Sequence, residues 1–344
     1  MIPFGSTRTL HVGLVYDARD DYLARGFSCE QVAEFDCEET IAALDNAIAA
    51  LGVRVNRIGN ARNLAQELAA GRRWDLVFNF AEGVEGRSRE AQVPCLLELY
   101  GIPYTFSDPL TCAITLDKAV AKRIVRDAGI ATPDFAVIRT MADIDGMPLS
   151  YPLFAKPIAE GTGKGITSRS CVDTRQELAA LCSELLEKYD QPVLVEEYLP
   201  GREFTAGILG TGNKARVIGV MEIVFKECTA RPVYGVNVKK QYQDFVRYSH
   251  AIQPESLCTR VADIALQSYR LLECRDAGRV DIRCNSKGVP CFVEVNPLPG
   301  LQPVHSDLVI LAHHKGIEYN ALIGSIVESA VDRMTAIAHT MTGA

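Results

Sequence analysis

The stretch GRVDIRCNSKGVPCFVEVNPLPG, Gly278 to Gly300, decides the fold. Two short apolar runs flank a turn at Asn285 to Gly288 and read as a β-hairpin. Asp281 lies near the start of the first strand, Glu294 and Asn296 near the end of the second. Alternation along a strand puts Glu294 and Asn296 on one face. Three hard oxygen donors meeting there suit magnesium, which takes one or two carboxylates and completes its shell with phosphate oxygens and water. A surface hairpin with its polar groups in water is the plainer alternative. The apolar neighbours of Glu294 and Asn296 favour the metal.

Upstream, LFAKPIAEGTGKGI ends an apolar run at Lys156 and continues into Gly161, Thr162, Gly163, Lys164 and Gly165. Such a loop lets backbone N–H groups approach phosphate oxygens because few side chains intervene. It is neither a Walker A loop nor the dinucleotide-binding GxGxxG pattern, and taken alone it also fits a flexible hairpin. VLVEEYLPGREF carries a strand into Glu196, Glu197, Tyr198 and Leu199, turns at Pro200 and Gly201, and resumes at Glu203. Strand-end backbone groups beside an acid can hold an adenine edge and a ribose hydroxyl; a solvated strand end is the alternative.

The first hundred residues alternate strand-like runs (Leu10 to Tyr16, VRVNRI, Trp74 to Phe80) with helix-like ones (Glu38 to Leu51, Leu64 to Ala70). That is the βαβ rhythm of a parallel sheet. Farther on, TLDKAVAKRIVRDAGI reads as one amphipathic helix, and ATPDFAVI, YPLFAKPI, GITSRSCV and PVLVEEYL read as strands around a helix from Thr174 to Lys188. EFTAGILG and ARVIGVMEIV follow, then a polar loop from Thr229 to Tyr242, a helix from Glu255 to Leu272, the hairpin, and a last helix near Tyr319 to Ile337. His313 and His314 fall at a helix start after the hairpin, in structural or exposed positions.

The 344 residues are 48% hydrophobic and 23% charged, which excludes a disordered tail or a disulfide-stapled miniature. A net charge of −7 without a basic run argues against nucleic acid or anionic membrane as partner. Eleven cysteines without a CxxC pair read as thiols in a reducing compartment, and none has the partner histidine of a thiol nucleophile. The start of the chain is too polar for a secretory signal, and no run approaches the ~18 apolar residues of a membrane span. A cytoplasmic location is expected.

TLDKAVAKRIVRDAGIATPDF, KPIAEGTGKGI, VLVEEYLPGREFTAGIL and RVDIRC with VEVNPLPGL, in this order and spacing, resemble the ATP-grasp superfamily, and more narrowly D-alanine–D-alanine ligases and their relatives. The resemblance implies an ATP-grasp fold, α/β and α+β, behind an N-terminal parallel α/β domain. It implies three divisions, 1–114, 115–205 and 206–344, and a homodimer. Lys118 and Lys156 would contact ATP phosphates beneath the loop of Gly161, Thr162 and Gly163. Glu196, Glu197, Tyr198 and Leu199 would line the adenine pocket, and Glu203 would take the ribose. Asp281, Glu294 and Asn296 would hold two magnesium ions, with manganese as a substitute. Lys239 would reach the γ-phosphate as its loop closes. Arg279 matches the arginine that stabilises the oxyanion, and Ser306 the serine that holds the second substrate's carboxylate, with Asp307 beside it.

The implied reaction joins an amino acid to an amino-acid-like acid, releasing ADP and phosphate through an acylphosphate. Departures concentrate on the first substrate. Ala81 and Glu82 stand where the D-alanine–D-alanine ligases have His and Gly, Arg87 to Glu90 replace an acidic run, and YDARDDYLARGFSCEQVAEFD replaces their N-terminal glutamate segment. Glu82, Arg87 and Arg89 fit either recognition of a different acid or an exposed salt-bridged loop. EGVEGRSREAQVP and EGTGKG look closer to relatives that join an amino acid to a mycosporine core. A D-alanine–D-alanine ligase of cell-wall synthesis, a carboxylating ATP-grasp enzyme and an ATP-binding regulatory module are the competing readings.

Overall fold

The computed structural model describes residues 9–226, 246–250 and 252–342. Within them the strands form three sheets. The first joins β1 (His11–Tyr16), β2 (Arg54–Gly59) and β3 (Leu76–Phe80), all parallel, in the order β2-β1-β3. Helices α1 (Arg19–Ala24), α2 (Glu38–Ala49) and α3 (Ala61–Ala69) lie between these strands in the chain, as the βαβ rhythm requires. β3 is buried along its whole length, which is why LVFNF is apolar at every position but Asn79 rather than alternating.

After α4 (Gln92–Leu99), the single helix expected at TLDKAVAKRIVRDAGI is two helices. Asp117 ends α5 (Pro109–Leu116) in an extended conformation and caps α6 (Lys118–Asp127) by accepting from the Val120 N–H. An aspartate bonding to nearby backbone competes with helix continuation, so the break falls there. It places Lys118 on the first turn of α6.

The second sheet is antiparallel, in the order β4 (Phe135–Ile138), β7 (Val193–Glu197), β5 (Leu153–Pro157), β6 (Cys171–Val172), and is covered by α7 (Arg175–Tyr189). The strand expected across GITSRSCV shrinks to the two residues of β6, because Thr167 caps a short 3-10 turn over Ser168–Ser170. The third sheet runs β10 (Val246–Ser249), β9 (Arg216–Phe225), β8 (Glu203–Leu209), β11 (Ala277–Cys284), β12 (Pro290–Asn296). Helix α8 (Glu255–Leu271) packs on one face of it.

The remaining helices, α9 (Asp307–His314) and α10 (Tyr319–Thr342), share a core with α2, the first sheet and residues of β8, β9 and β11. Val32 and Phe35 of the N-terminal segment pack with Tyr22 and Val84 in a small separate cluster, and Glu34, Asp36, Glu82 and Glu90 border a cavity together with Arg279 and Glu294 of the hairpin. His313 and His314 end α9 rather than begin a helix, where imidazoles meet the negative end of the helix dipole. No described helix is long and apolar enough to cross a membrane.

Candidate active site

The hairpin forms as its pattern dictates. β11 and β12 are antiparallel, Asp281 pairs directly with Glu294, and Arg279 pairs with Asn296. A bulge between Asp281 and Ile282 leaves Val293 without a partner and turns this end of the pair. Arg279 donates from Nε and Nη2 to the two Asp281 oxygens, both at 3.0 Å, and from Nη1 to Asp307 Oδ2 at 3.0 Å. Burial works against its charge, but Asp281 and Asp307 hold its pKa above the ordinary value. Thr205 donates to Asp281 Oδ1 at 2.8 Å, Asn296 Nδ2 to Oδ2 at 3.3 Å, and the Tyr248 hydroxyl to Asp307 at 3.1 Å. Two carboxylates and an amide on paired strands are a hard-oxygen donor set whose chemistry fits a divalent cation such as magnesium. Among the described residues no three His, Cys, Asp or Glu side chains gather to hold a metal, so a third donor beside Asp281 and Glu294 would have to come from Asn296.

Two lysines from different elements converge on Glu294. Lys156 Nζ, at the end of β5, lies 3.4 Å from Glu294 Oε2, and Lys118 Nζ lies 3.8 Å from the same oxygen. Burial depresses the Lys118 pKa, whereas Glu196 and Glu294 outweigh burial at Lys156 and raise it. Lys118 also donates to the Glu160 carbonyl at 2.7 Å, tying α6 to the glycine loop.

That loop has a left-handed backbone at Thr162 (φ 52°), Gly163 (φ 77°) and Gly165 (φ 74°). Only glycine adopts this freely, so Thr162 marks a constrained position. The loop separates two cavities. Gly163 borders one, with Lys156, Glu196, Tyr198, Leu199, Glu203 and Arg283 among its other walls. Gly161 and Thr162 border the other, of about 210 Å³, with Glu34, Asp36, Glu82, Glu90, Arg279 and Ser306. Lys118 and Glu294 line both. Ser306, at the N-cap of α9, accepts from the Gln302 N–H at 2.9 Å.

In the first cavity, strand alternation turns Glu196 inward and leaves Glu197 exposed, so the Glu197 side chain does not line it. Glu203 receives Arg283 Nη1 at 3.1 Å, and the Arg283 guanidinium lies 5.2 Å from the centre of the Tyr198 ring. Lys122, 0% exposed, pairs with Glu196 at 3.1 Å. With Lys156 it holds the Glu196 pKa below the ordinary value against the effect of burial.

A family model described as the D-ala D-ala ligase C-terminus matches residues 124–328. A D-alanine–D-alanine ligase of Bordetella petrii is 34% identical over 273 residues, 78% of this chain and 79% of that one. The chain belongs to the D-alanine–D-alanine ligase-like family of ATP-grasp proteins. As a member it is an ATP-dependent ligase acting on small molecules. An uncharacterized protein of Sinorhizobium fredii is likewise 34% identical, over 264 residues covering 74% of each chain. The crystal structure of a Bacillus anthracis D-alanine–D-alanine ligase complexed with ATP superposes with a TM-score of 0.72 at 24% identity, over 95% of this chain and 99% of that one. VanG D-Ala:D-Ser ligase of Enterococcus faecalis gives 0.72 at 21% identity, over 94% and 100%. Both likenesses establish the fold.

Lys239 lies outside the described residues of the ligase. Apart from Glu197, the other residues expected to touch nucleotide, metal or substrate line one or both of the two cavities. Sequence reasoning missed Lys122 and Arg283, which read as ordinary surface charges on α6 and β11, and Glu34, which no motif marked. Glu34 accepts from Arg89 at 3.0 Å and from Lys164 at 3.1 Å. Arg89 also donates to the Ala159 carbonyl at 2.7 Å, and Lys164 pairs with Glu160, so this buried network clamps the N-terminal segment onto the glycine loop. Arg89 is therefore neither an exposed loop charge nor free to hold an acid. Arg87 is the surface residue, 73% exposed and paired with Asp117.

Proposed function

We propose that this ligase joins a carboxylate to an amine by phosphorylating the carboxylate with ATP and then exchanging phosphate for the amine. The observation that carries the reading is that Lys118 and Glu294 form a wall common to both cavities. A phosphoryl group leaving a nucleotide on one side meets an acid on the other without crossing solvent. Lys118 and Lys156 would offset charge on the phosphates, Glu196 to Leu199 would border the adenine, and Glu203 would accept from the ribose. Asp281, Glu294 and Asn296 would hold magnesium, which supplies charge neutralisation and alignment of the phosphates.

Arg279 is poised for the second half. Its guanidinium faces the acid cavity and would stabilise the oxyanion formed when the amine attacks the acylphosphate. Ser306 would accept or donate at the acceptor's carboxylate. Amino-acid-like substrates, a homodimer, a cytoplasmic location and the three divisions 1–114, 115–205 and 206–344 complete the proposal. A cell-wall role on D-alanine itself is less favoured, because Glu82 and Glu90 face the cavity where the sequence departs from the D-alanine ligases. The test is ADP release with ATP, magnesium and pooled D-amino acids, L-amino acids and small carboxylates, with mass spectrometry of the product. Release without any product containing a new amide contradicts the proposal.

A further inference from the structure

The 210 Å³ cavity is of amino-acid size, smaller than the usual drug-sized pocket. Six carboxylates line it, and three are already balanced: Glu34 by Arg89 and Lys164, Glu294 by Lys156 and Lys118, Asp307 by Arg279. The others, Asp36, Glu82 and Glu90, form no ion pair among the described residues. Glu90 is 8% exposed and Glu82 is half-buried; both border the cavity, and neither makes a side-chain hydrogen bond among the described residues. A buried carboxylate without a partner is unfavourable unless a ligand completes it. Burial and mutual repulsion push the pKa of Glu82 well above the ordinary value, and burial does the same at Glu90 despite Arg89.

The cavity is also polarised. Arg279 and Lys118 sit with Ser306 toward the hairpin and suit a carboxylate, while the unpaired acids come from the N-terminal elements opposite. One α-ammonium group answers one of the three acids. We infer that the substrate bound here carries a second cationic group besides its α-ammonium, as a diamino acid of the 2,3-diaminopropionate, ornithine or lysine type does, with Glu82 and Glu90 receiving that group. An ammonium presents three donors and suits a cluster of acceptors. This inference deepens the ligase proposal and rests on it for the identity of the reaction, but the subsite can be tested without turnover.

The experiment compares ADP release by the full chain, with ATP and magnesium, for D- and L-alanine against D- and L-forms of the three diamino acids. Wild type is expected to prefer a diamino acid at least tenfold in kcat/KM. Glu90→Gln and Glu82→Gln should each shrink that preference tenfold or more through KM, with the circular dichroism spectrum unchanged. In parallel, the melting temperature is measured with a non-hydrolysable ATP analogue and each amino acid. Turnover with alanine at equal or better efficiency, insensitive to both variants, overturns the inference and leaves the ligase reading standing. A diamino-acid-dependent rise in melting temperature, lost in Glu90→Gln but without ADP or product, supports the cationic subsite and overturns the ligase reading. No shift and no turnover with any diamino acid overturns the inference.

Discussion

Replacing Lys122 by Met tests how the nucleotide-side wall is held. The ammonium is fully buried, pairs with Glu196 at 3.1 Å, and donates to Thr132 Oγ1 at 3.1 Å and to the Phe292 carbonyl at 3.4 Å. It thus ties α6 to β7 and β12. Methionine fills much of the volume but leaves Glu196 with Lys156 alone, at 3.5 Å. Breaking a buried pair from one side costs about 3–5 kcal/mol, and the surviving lysine places this site near the lower end, about 3 kcal/mol at pH 7. The sign of the pH effect follows from Glu196, whose pKa is held below the ordinary carboxylate value. Its contribution is present above the unfolded value of about 4.3 and fades as pH falls through the lower folded value. The deficit of Lys122→Met should therefore narrow on acidification. Urea unfolding followed by circular dichroism at pH 7 and at about pH 3, below the unfolded carboxylate value, measures it, and Lys122→Met with Glu196→Met should recover at least half of the loss. A single variant within about 1 kcal/mol of wild type, or a double variant no more stable than the single, refutes the reasoning.

Three further outcomes are expected. Glu294→Gln should lower ADP release by at least about a hundredfold, as loss of a charge partner at a phosphoryl-transfer site does, with an unchanged circular dichroism spectrum; retained activity would remove Glu294 from the metal set. Gly161→Ala places a methyl group 2.1 Å from Glu34 Oε1, which Arg89 and Lys164 hold in place. It should destabilise by about 1–3 kcal/mol and raise KM for the amino-acid substrate, measured by denaturation and by ADP release. Burial lifts the Asp36 carboxyl to about 7. Its stabilisation is complete below the unfolded value of about 3.9 and is lost as pH rises through about 7. Asp36→Asn should flatten the stability–pH profile between those limits and gain on the order of 2 kcal/mol at pH 8, read from urea midpoints.

The hairpin was legible because alternation, turn residues and three oxygen donors all point to one geometry. The parallel first sheet was legible because β1 and β3 are short, apolar and separated by helical periodicity. What escaped was set by partners distant in sequence. Lys122 looks like any exposed helix lysine until Glu196 and Phe292 arrive from other elements. Glu34 acquires meaning only when Arg89 and Lys164, far along the chain, arrive to pair with it. Asp117 hid the break between α5 and α6, since the apolar period runs on across it while its side chain caps the second helix. Within the loop at Gly161 to Gly163, sequence alone could not show that neighbouring residues face different cavities.

The most direct measurement is ADP release by the purified chain with ATP, magnesium and amino-acid pools, run beside Glu294→Gln and coupled to mass spectrometry. ADP is expected to form in step with a new amide, and both are lost in the variant. ADP formed without an amide, or formed equally by the variant, would contradict the proposal.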